Sequence, residues 1–264
     1  MKKNALRLVM GGLLTCLLAT LAWGQDFRKD YALPPGGIIS ISNVSGEIQV
    51  KGYNGPTLSI SGIREGRDKN VVEIDDQSTD GQVSLKVRYP RDGGNYDASV
   101  RFIVQVPAGA RYVYNSLSTA SGDISVEDVA GEINVKSASG DITVSQVEGA
   151  VNVSAASGDI KVLGASGVVN ANTASGDVNV ELVRVADEGE FKFSSASGDV
   201  TVKVPGQINA QVEMSTASGS VKTDFPLNIE DRQGHGQKAA GTLGSGALKV
   251  KLSSASGDVR LVNK

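Results

Sequence analysis

Residues 137–180 read SASGDITVSQVEGAVNVSAASGDIKVLGASGVVNANTASGDVNV, and this stretch decides the fold. Ser139-Gly140-Asp141 returns as Ser157-Gly158-Asp159 and again as Ser175-Gly176-Asp177. A glycine also stands midway between these phrases, so Gly122, Gly131, Gly140, Gly149, Gly158, Gly167 and Gly176 are spaced 9 residues apart. A short exact period of this kind marks stacked structural repeats.

Two residues after each glycine comes an apolar side chain: Ile124, Ile133, Ile142, Val151, Ile160, Val169 and Val178. Four after comes Val126, Val135, Val144, Val153, Val162, Ala171 or Val180, and a mostly polar residue lies between. Alternation at period two predicts a strand with one dry and one wet face. Ser-Gly-Asp supplies turn chemistry, because glycine reaches conformations closed to other residues and Ser or Asp can bond nearby amides. The fuller phrase recurs every 18 residues, so one coil holds two strands and two unlike corners.

The expected fold is all-β: a two-sheeted β-solenoid of 18-residue coils with an N-terminal β cap. An antiparallel sandwich, roll or barrel would give the same spacing and is the rival geometry. Residues two before each glycine, among them Ala120, Ala138, Ala156 and Ala174, are expected to face inward at tight corners.

Regularity fails at both ends. Residues 25–115 hold one repeat-like unit, Asn43–Val50, and then longer alternating runs such as 83–89 and 100–106. Five of the six tyrosines fall between Tyr53 and Tyr114, which implies a thicker core there. This part reads as the cap, and 116–264 as the solenoid. Insertions at Val183–Glu190 and Asn228–Gly246 are expected as loops, the second mobile or laid across the end of the stack. Val259–Val262 is expected as the last strand, with Lys264 near the open edge.

Residues 1–24 read as a signal peptide: Lys2, Lys3 and Arg7, then the apolar run Leu13–Leu21, then Ala22-Trp23-Gly24 before Gln25. The run is short for a membrane span, so no transmembrane anchor is expected after cleavage. Cys16, the sole cysteine, has unsuitable neighbours for lipidation. The mature chain would carry no disulfide. The whole chain has 26 basic and 29 acidic residues, and losing Lys2, Lys3 and Arg7 leaves 23 against 29, or −6. Charges are dispersed, with no basic patch interleaved with aromatics, so nucleic acid is not an expected partner. The expected location is outside the cytoplasm: periplasm, cell surface or extracellular medium.

Two columns of polar residues are candidate sites. Asp123, Asp141, Asp159 and Asp177 should line one corner, either as structural turn residues or as weak ligands for a hard cation. Stacked like charges should raise one another's proton affinity. Asn134, Asn152 and Asn170 should form an outward amide ladder, either as a solvated brace or as a flat face for a glycan. His235 is the only histidine and the mature chain has no cysteine, so standard zinc ligation is not expected. No nucleophile elbow or nucleotide-binding glycine pattern occurs. No catalytic residue, cofactor or metal is expected, and no oligomeric state is signalled.

Ser118–Val126 and Ser253–Leu261 both follow the pattern Ser-x-x-Ser-Gly-Asp-[Ile/Val]-x-[Val/Leu]. With Val106-Pro107-Ala108-Gly109-Ala110 before the repeats, the chain resembles the bacterial "putative adhesin" family of β-strand-repeat proteins over roughly residues 36–262. That resemblance implies an extracytoplasmic all-β repeat domain without established chemistry, and carries over no catalytic residue. The expected function is a non-enzymatic adhesin or envelope-surface binding module whose partner is an envelope glycan or protein. Alternatives are a self-assembling envelope protein and, less well supported, a hydrolase with its site in the two insertions.

Overall fold

The computed structural model describes residues 27–232 and 236–264. The expected signal segment, with Cys16, and His235 lie outside the described residues.

Seven strands precede the regular repeats: β1 (Phe27–Tyr31), β2 (Ile38–Ser42), β3 (Ile48–Tyr53), β4 (Leu58–Glu65), β5 (Glu73–Asp76), β6 (Gln82–Arg88) and β7 (Ser99–Pro107). The repeats supply β8 (Arg111–Ser121), β9 (Ile124–Glu127), β10 (Ala130–Ser139), β11 (Ile142–Ser145), β12 (Val151–Ser157), β13 (Ile160–Ser166), β14 (Val169–Ser175) and β15 (Val178–Arg184). Then come β16 (Gly189–Ser197), β17 (Val200–Val204), β18 (Ala210–Ser218), β19 (Val221–Thr223), β20 (Asn228–Asp231), β21 (Gln237–Leu243), β22 (Leu248–Ser256) and β23 (Val259–Asn263).

Successive repeat strands do not pair with each other. Each pairs in parallel with the strand one coil away, so two sheets grow side by side and no barrel closes. One has 11 strands in the order β1-β4-β7-β3-β9-β11-β13-β15-β17-β23-β19. The other has 12, in the order β20-β21-β18-β22-β16-β14-β12-β10-β8-β2-β6-β5. This is the two-sheeted solenoid, and the antiparallel meander is excluded.

The register follows the sequence period. Ile142 is paired with Ile124 on one side and Ile160 on the other. All three are at most 1% exposed, as are Val126, Val144 and Val162 behind them. A single dry seam of β-branched side chains therefore runs along the stack, each coil completing the core of the next.

The Ser-Gly-Asp corner differs from the expected arrangement. Ala120, Ala138, Ala156 and Ala174 face solvent. Strands of the 12-stranded sheet carry their alternation one step further, so the residue before each alanine turns inward. Thr119, Ser137, Thr173, Ser195, Thr216 and Ser254 are all buried. Each hydroxyl donates to a glycine carbonyl of the adjacent coil: Ser137 Oγ to Gly122 O at 3.4 Å, Thr173 Oγ1 to Gly158 O at 3.2 Å, Ser254 Oγ to Gly198 O at 2.8 Å. Burying a hydroxyl at a corner is tolerated because this bond satisfies it.

Glycine at the corner is a requirement of both backbone and space. Gly158 has φ +136°, and a Cβ there would stand 2.3 Å from the Gly140 carbonyl oxygen. Gly140 stands in the same relation to Gly122. The glycine column lets neighbouring turns close to hydrogen-bonding distance, with Gly158 N donating to Ser175 O at 2.9 Å.

Coil order departs from chain order at both ends. The first coil, β2/β3, lies between β6/β7 and β8/β9. The last, β22/β23, lies between β16/β17 and β18/β19. Val259–Val262 is therefore an interior strand and not the open edge. The segment 228–246, expected as a loop, contributes β20 and β21, which extend the 12-stranded sheet antiparallel from β18. Its apolar Ala239 and Leu243 are buried, and β18 gains the partner its edge needs. The other insertion shrinks to the short link between Arg184 and Gly189.

At the opposite end the antiparallel strands β1 and β4 extend one sheet, and β5 the other. Asp76 clips the two edges together. Its carboxylate accepts from Lys29 Nζ at 2.6 Å, Tyr31 OH at 3.0 Å and the Ser78 amide at 3.0 Å. Partial burial pushes its pKa up, but these donors outweigh burial and hold it at about 2. A depressed folded pKa contributes stability above the ordinary aspartate range and loses it as pH falls towards 2. The clip should supply on the order of 1 kcal/mol after solvent screening. Asp76→Asn should lower the melting temperature at pH 7 and narrow its gap to the parent chain between pH 4 and pH 2. A constant gap across that range would contradict the clip.

Tyr114 is fully buried and meets Tyr112 edge-to-face, with centroids 6.4 Å apart. Among the described residues its hydroxyl has no hydrogen-bond partner, and burial raises its pKa. Removing an unpaired buried hydroxyl should cost nothing, so Tyr114→Phe should match the parent or gain up to about 1 kcal/mol in thermal denaturation. A clear loss of stability would show that the hydroxyl is satisfied in solution.

Candidate functional site

Three surfaces follow the stack axis, and each is built by repetition. The first is the outer face of the 12-stranded sheet. Strands β10, β12 and β14 place Asn134, Asn152 and Asn170 in register. Asn152 Nδ2 donates to Asn134 Oδ1 at 3.1 Å, and Asn170 Nδ2 to Asn152 Oδ1 at 3.0 Å. The row continues into the Lys192 amide, which donates to Asn170 Oδ1 at 3.0 Å. Each amide is half-buried by its neighbours and presents its remaining polar capacity outward. Asn152→Ala should cost about 1 kcal/mol at most, read by thermal denaturation, because solvent can replace the lost partners. A loss of several kcal/mol would make the ladder a principal brace of the sheet.

The second surface is the Ser-Gly-Asp corner. Asp123, Asp141, Asp159 and Asp177 are brought into one column. Asp123 Oδ1 accepts the Asp141 amide at 2.8 Å, Asp141 Oδ1 the Asp159 amide at 2.8 Å, and Asp159 Oδ1 the Asp177 amide at 2.9 Å. Asp199 and Asp258 continue the column, and Asp258 Oδ1 accepts the Ser220 amide at 2.9 Å. One oxygen of each carboxylate is thus committed to the neighbouring turn. At Asp199 and Asp258, beyond the four expected positions, both carboxyls are held below the ordinary aspartate range. Arg260 bonds Asp199, with Nη1 2.8 Å from Oδ2, and also contacts Asp258. The guanidinium first, then the Asp258 amide, draws the Asp199 carboxyl down; the Ser220 amide and hydroxyl do so at Asp258. Among the described residues no three His, Cys, Asp or Glu side chains converge in a metal-holding group.

The third surface was not foreseen from the sequence. At the corner opposite the Ser-Gly-Asp column an open groove of about 1020 Å³ follows the stack axis. Its floor is the tight turns of successive coils. Asp128 and Gln146 sit there in the left-handed region, at φ 55° and 52°, with Gly164 in the equivalent place. Tyr53 and Asn54 line it at one end, Arg184 and Lys264 at the other. Gly52 positions Tyr53, because its backbone lies against the Asp128 carbonyl so closely that a Cβ would be 2.0 Å from the oxygen. Only an alignment of unrelated segments in space brings Tyr53, Gln146 and Lys264 together, and no local spacing could have signalled it.

Two of the three carboxylates in the groove are paired. Glu148 meets Arg111 at 2.8 Å and Glu181 meets Lys264 at 2.6 Å, which lowers the Glu181 pKa through hydrogen bonding and charge.

A family model described as Toastrack DUF4097 matches residues 37–262. Similar solved structures include a "putative cell adhesion protein" from Clostridium sporogenes, 13% identical, covering 91% of this chain and 100% of that one at a TM-score of 0.45. A "putative adhesin" from Bacteroides fragilis is 14% identical, with 90% and 98% coverage and a TM-score of 0.42. A "putative adhesin" from Parabacteroides distasonis is 12% identical, with 90% and 97% coverage and a TM-score of 0.41. Among curated proteins none matches. The extent of the family match, over nearly all of the two sheets, establishes that the chain belongs to the Toastrack DUF4097 family.

Proposed function

We propose that the chain is an exported, non-enzymatic binding module of adhesin type, holding a flat polar face towards a polymer or protein of the cell envelope. The observation that carries this reading is the Asn134–Asn152–Asn170 ladder, in which identical amides are fixed one strand spacing apart on a rigid sheet. Such a row matches a partner that itself repeats, and its order is set before binding, which limits the entropic cost of association. Residues 1–24 support export through their charged start, short apolar run and small residues before Gln25. Residues 25–115 would then serve as the cap and 116–264 as the presenting stack. Among the described residues no helix is long and apolar enough to cross a membrane.

Self-assembly through the ends is the weaker reading. The antiparallel strands β1, β4, β5, β20 and β21 interrupt the parallel ladder at three of four edges. At the fourth, β19 is three residues long, and the Val221 amide is already bonded to Gln237 Oε1 at 2.7 Å. Short edge strands resist further strand addition.

The test is retention of envelope material. The immobilised chain should hold a component from cell-wall or outer-surface fractions, and changing Asn134, Asn152 and Asn170 together to Ala should abolish retention while the fold persists. Equal retention by that variant, no retention from any fraction, or concentration-dependent filaments in scattering would overturn the reading.

A further inference from the structure

We infer that the groove at the Asp128 corner is a binding site for a linear, uncharged oligosaccharide about four rings long, separate from the asparagine face and independent of it.

The shape is the first argument. From the β3 corner at Tyr53 to the β15 corner at Arg184 the floor crosses β9, β11 and β13, a span of four strand spacings or about 19 Å. The spacing of about 4.8 Å is close to the rise per ring of an extended β-1,4-linked chain, so one turn of the floor faces roughly one sugar. Its lining ends at Tyr53 on one side and at Arg184 and Lys264 on the other, which gives the trough a finite length.

The wall is the second. Tyr53 is pinned: its hydroxyl donates to the Thr57 carbonyl at 2.6 Å, and Gly55 lies against the distal part of the ring. Tyr53 itself lines the groove. An aromatic surface held still beside amide and carboxylate arms suits a ligand with apolar ring faces and hydroxyl edges. Asn54, Asp128 and Gln146 supply such arms along the trough.

The spent backbone is the third. An extended peptide would bind by adding to a strand edge. Here the corner amides are taken: Asp128 N donates to Ser145 O, Gln146 N to Leu163 O, Glu148 N to Val129 O and Ser166 N to Val147 O. These four amides are not free to pair with an added strand, which shifts recognition towards side chains. Charge gives no preference for an ionic ligand either, since Glu148 and Glu181 are neutralised by Arg111 and Lys264, leaving Asp128 against Arg184.

The test is calorimetric or NMR titration of the folded chain with cellotetraose, a β-1,4-linked N-acetylglucosamine tetramer, maltotetraose and an N-acetylated penta-alanine amide. At least one β-1,4-linked tetramer should bind. Tyr53→Ala should weaken it about tenfold or more, as loss of a packed aromatic anchor does. Gln146→Asn, which keeps a residue tolerant of the left-handed turn, should weaken it about threefold or more. The Asn134, Asn152 and Asn170 triple alanine variant should bind as the parent does, and all variants should still unfold cooperatively well above the titration temperature. Binding of none of the β-1,4-linked tetramers, a preference for maltotetraose or the peptide, or unchanged binding by both groove variants would overturn the inference. Loss of tetramer binding only in the triple variant would transfer it to the flat face, leaving the binding-module reading intact and the groove inference refuted.

Discussion

Ile142→Asp should abolish cooperative folding of the stack. Ile142 is fully buried and paired on both sides with isoleucine, so a carboxylate there meets no donor and no counter-ion. Leaving a buried charge unpaired costs about 3–5 kcal/mol, and protonating it instead still leaves a polar group without partners. Loss of isoleucine packing adds about 2 kcal/mol or more. The sum is comparable to the whole stability of many domains. Circular dichroism and thermal denaturation should show a lost or strongly lowered transition. Asn152→Ala, also inside a sheet but on the outer face, should melt within a few degrees of the parent. Similar effects for the two would mean that inner and outer faces are wrongly assigned.

Gly158→Ala is the second change with a large expected cost. The added methyl group would stand 2.3 Å from the Gly140 oxygen, a backbone atom that cannot rotate away. At φ +136° an L-residue is strained even without that contact. Strain of this kind costs about 1–3 kcal/mol, and displacing the turn also loosens the amide that Gly158 donates to Ser175 and the bond that Thr173 gives to the Gly158 carbonyl. A total loss of about 3 kcal/mol or more is expected from chemical denaturation. Ala156→Ser, two residues away and exposed, should be nearly neutral. A neutral Gly158→Ala would show that the corners are further apart than the hydrogen bonds require.

What could be read from the sequence was whatever obeys period two or period 18. Ile124, Ile142 and Ile160 had to be dry once the alternation was seen, and their alignment followed from equal spacing. Equal spacing likewise aligned the asparagine and aspartate rows. The corner was misread because the inward step of Ala120, Ala138, Ala156 and Ala174 was inferred from size. Continuing the alternation from Ile133 through Val135 reaches Ser137, and a buried serine becomes acceptable only when its partner carbonyl is known. The ends were misread for another reason. Order along the chain was taken for order along the stack, yet β22/β23 is slotted between β16/β17 and β18/β19. Near-identical phrases at Ser194–Asp199, Ser215–Ser220 and Ser253–Asp258 can follow one another in any order with the same bonds, so local pattern does not choose among them. The groove depends on contacts of still longer range, joining Tyr53 to Asp128 and to Lys264.

The parallel stack itself is tested most directly by the distance between spin labels at Ser125 and Thr201. Both lie on the outer face of the 11-stranded sheet, connected in register through Thr143, Lys161 and Asn179. Four strand spacings separate them, so pulsed electron resonance should return a backbone separation of about 19 Å before allowance for the label arms. Strands laid down in chain order would place eight spacings between the same positions, about 38 Å, and that result would contradict the solenoid.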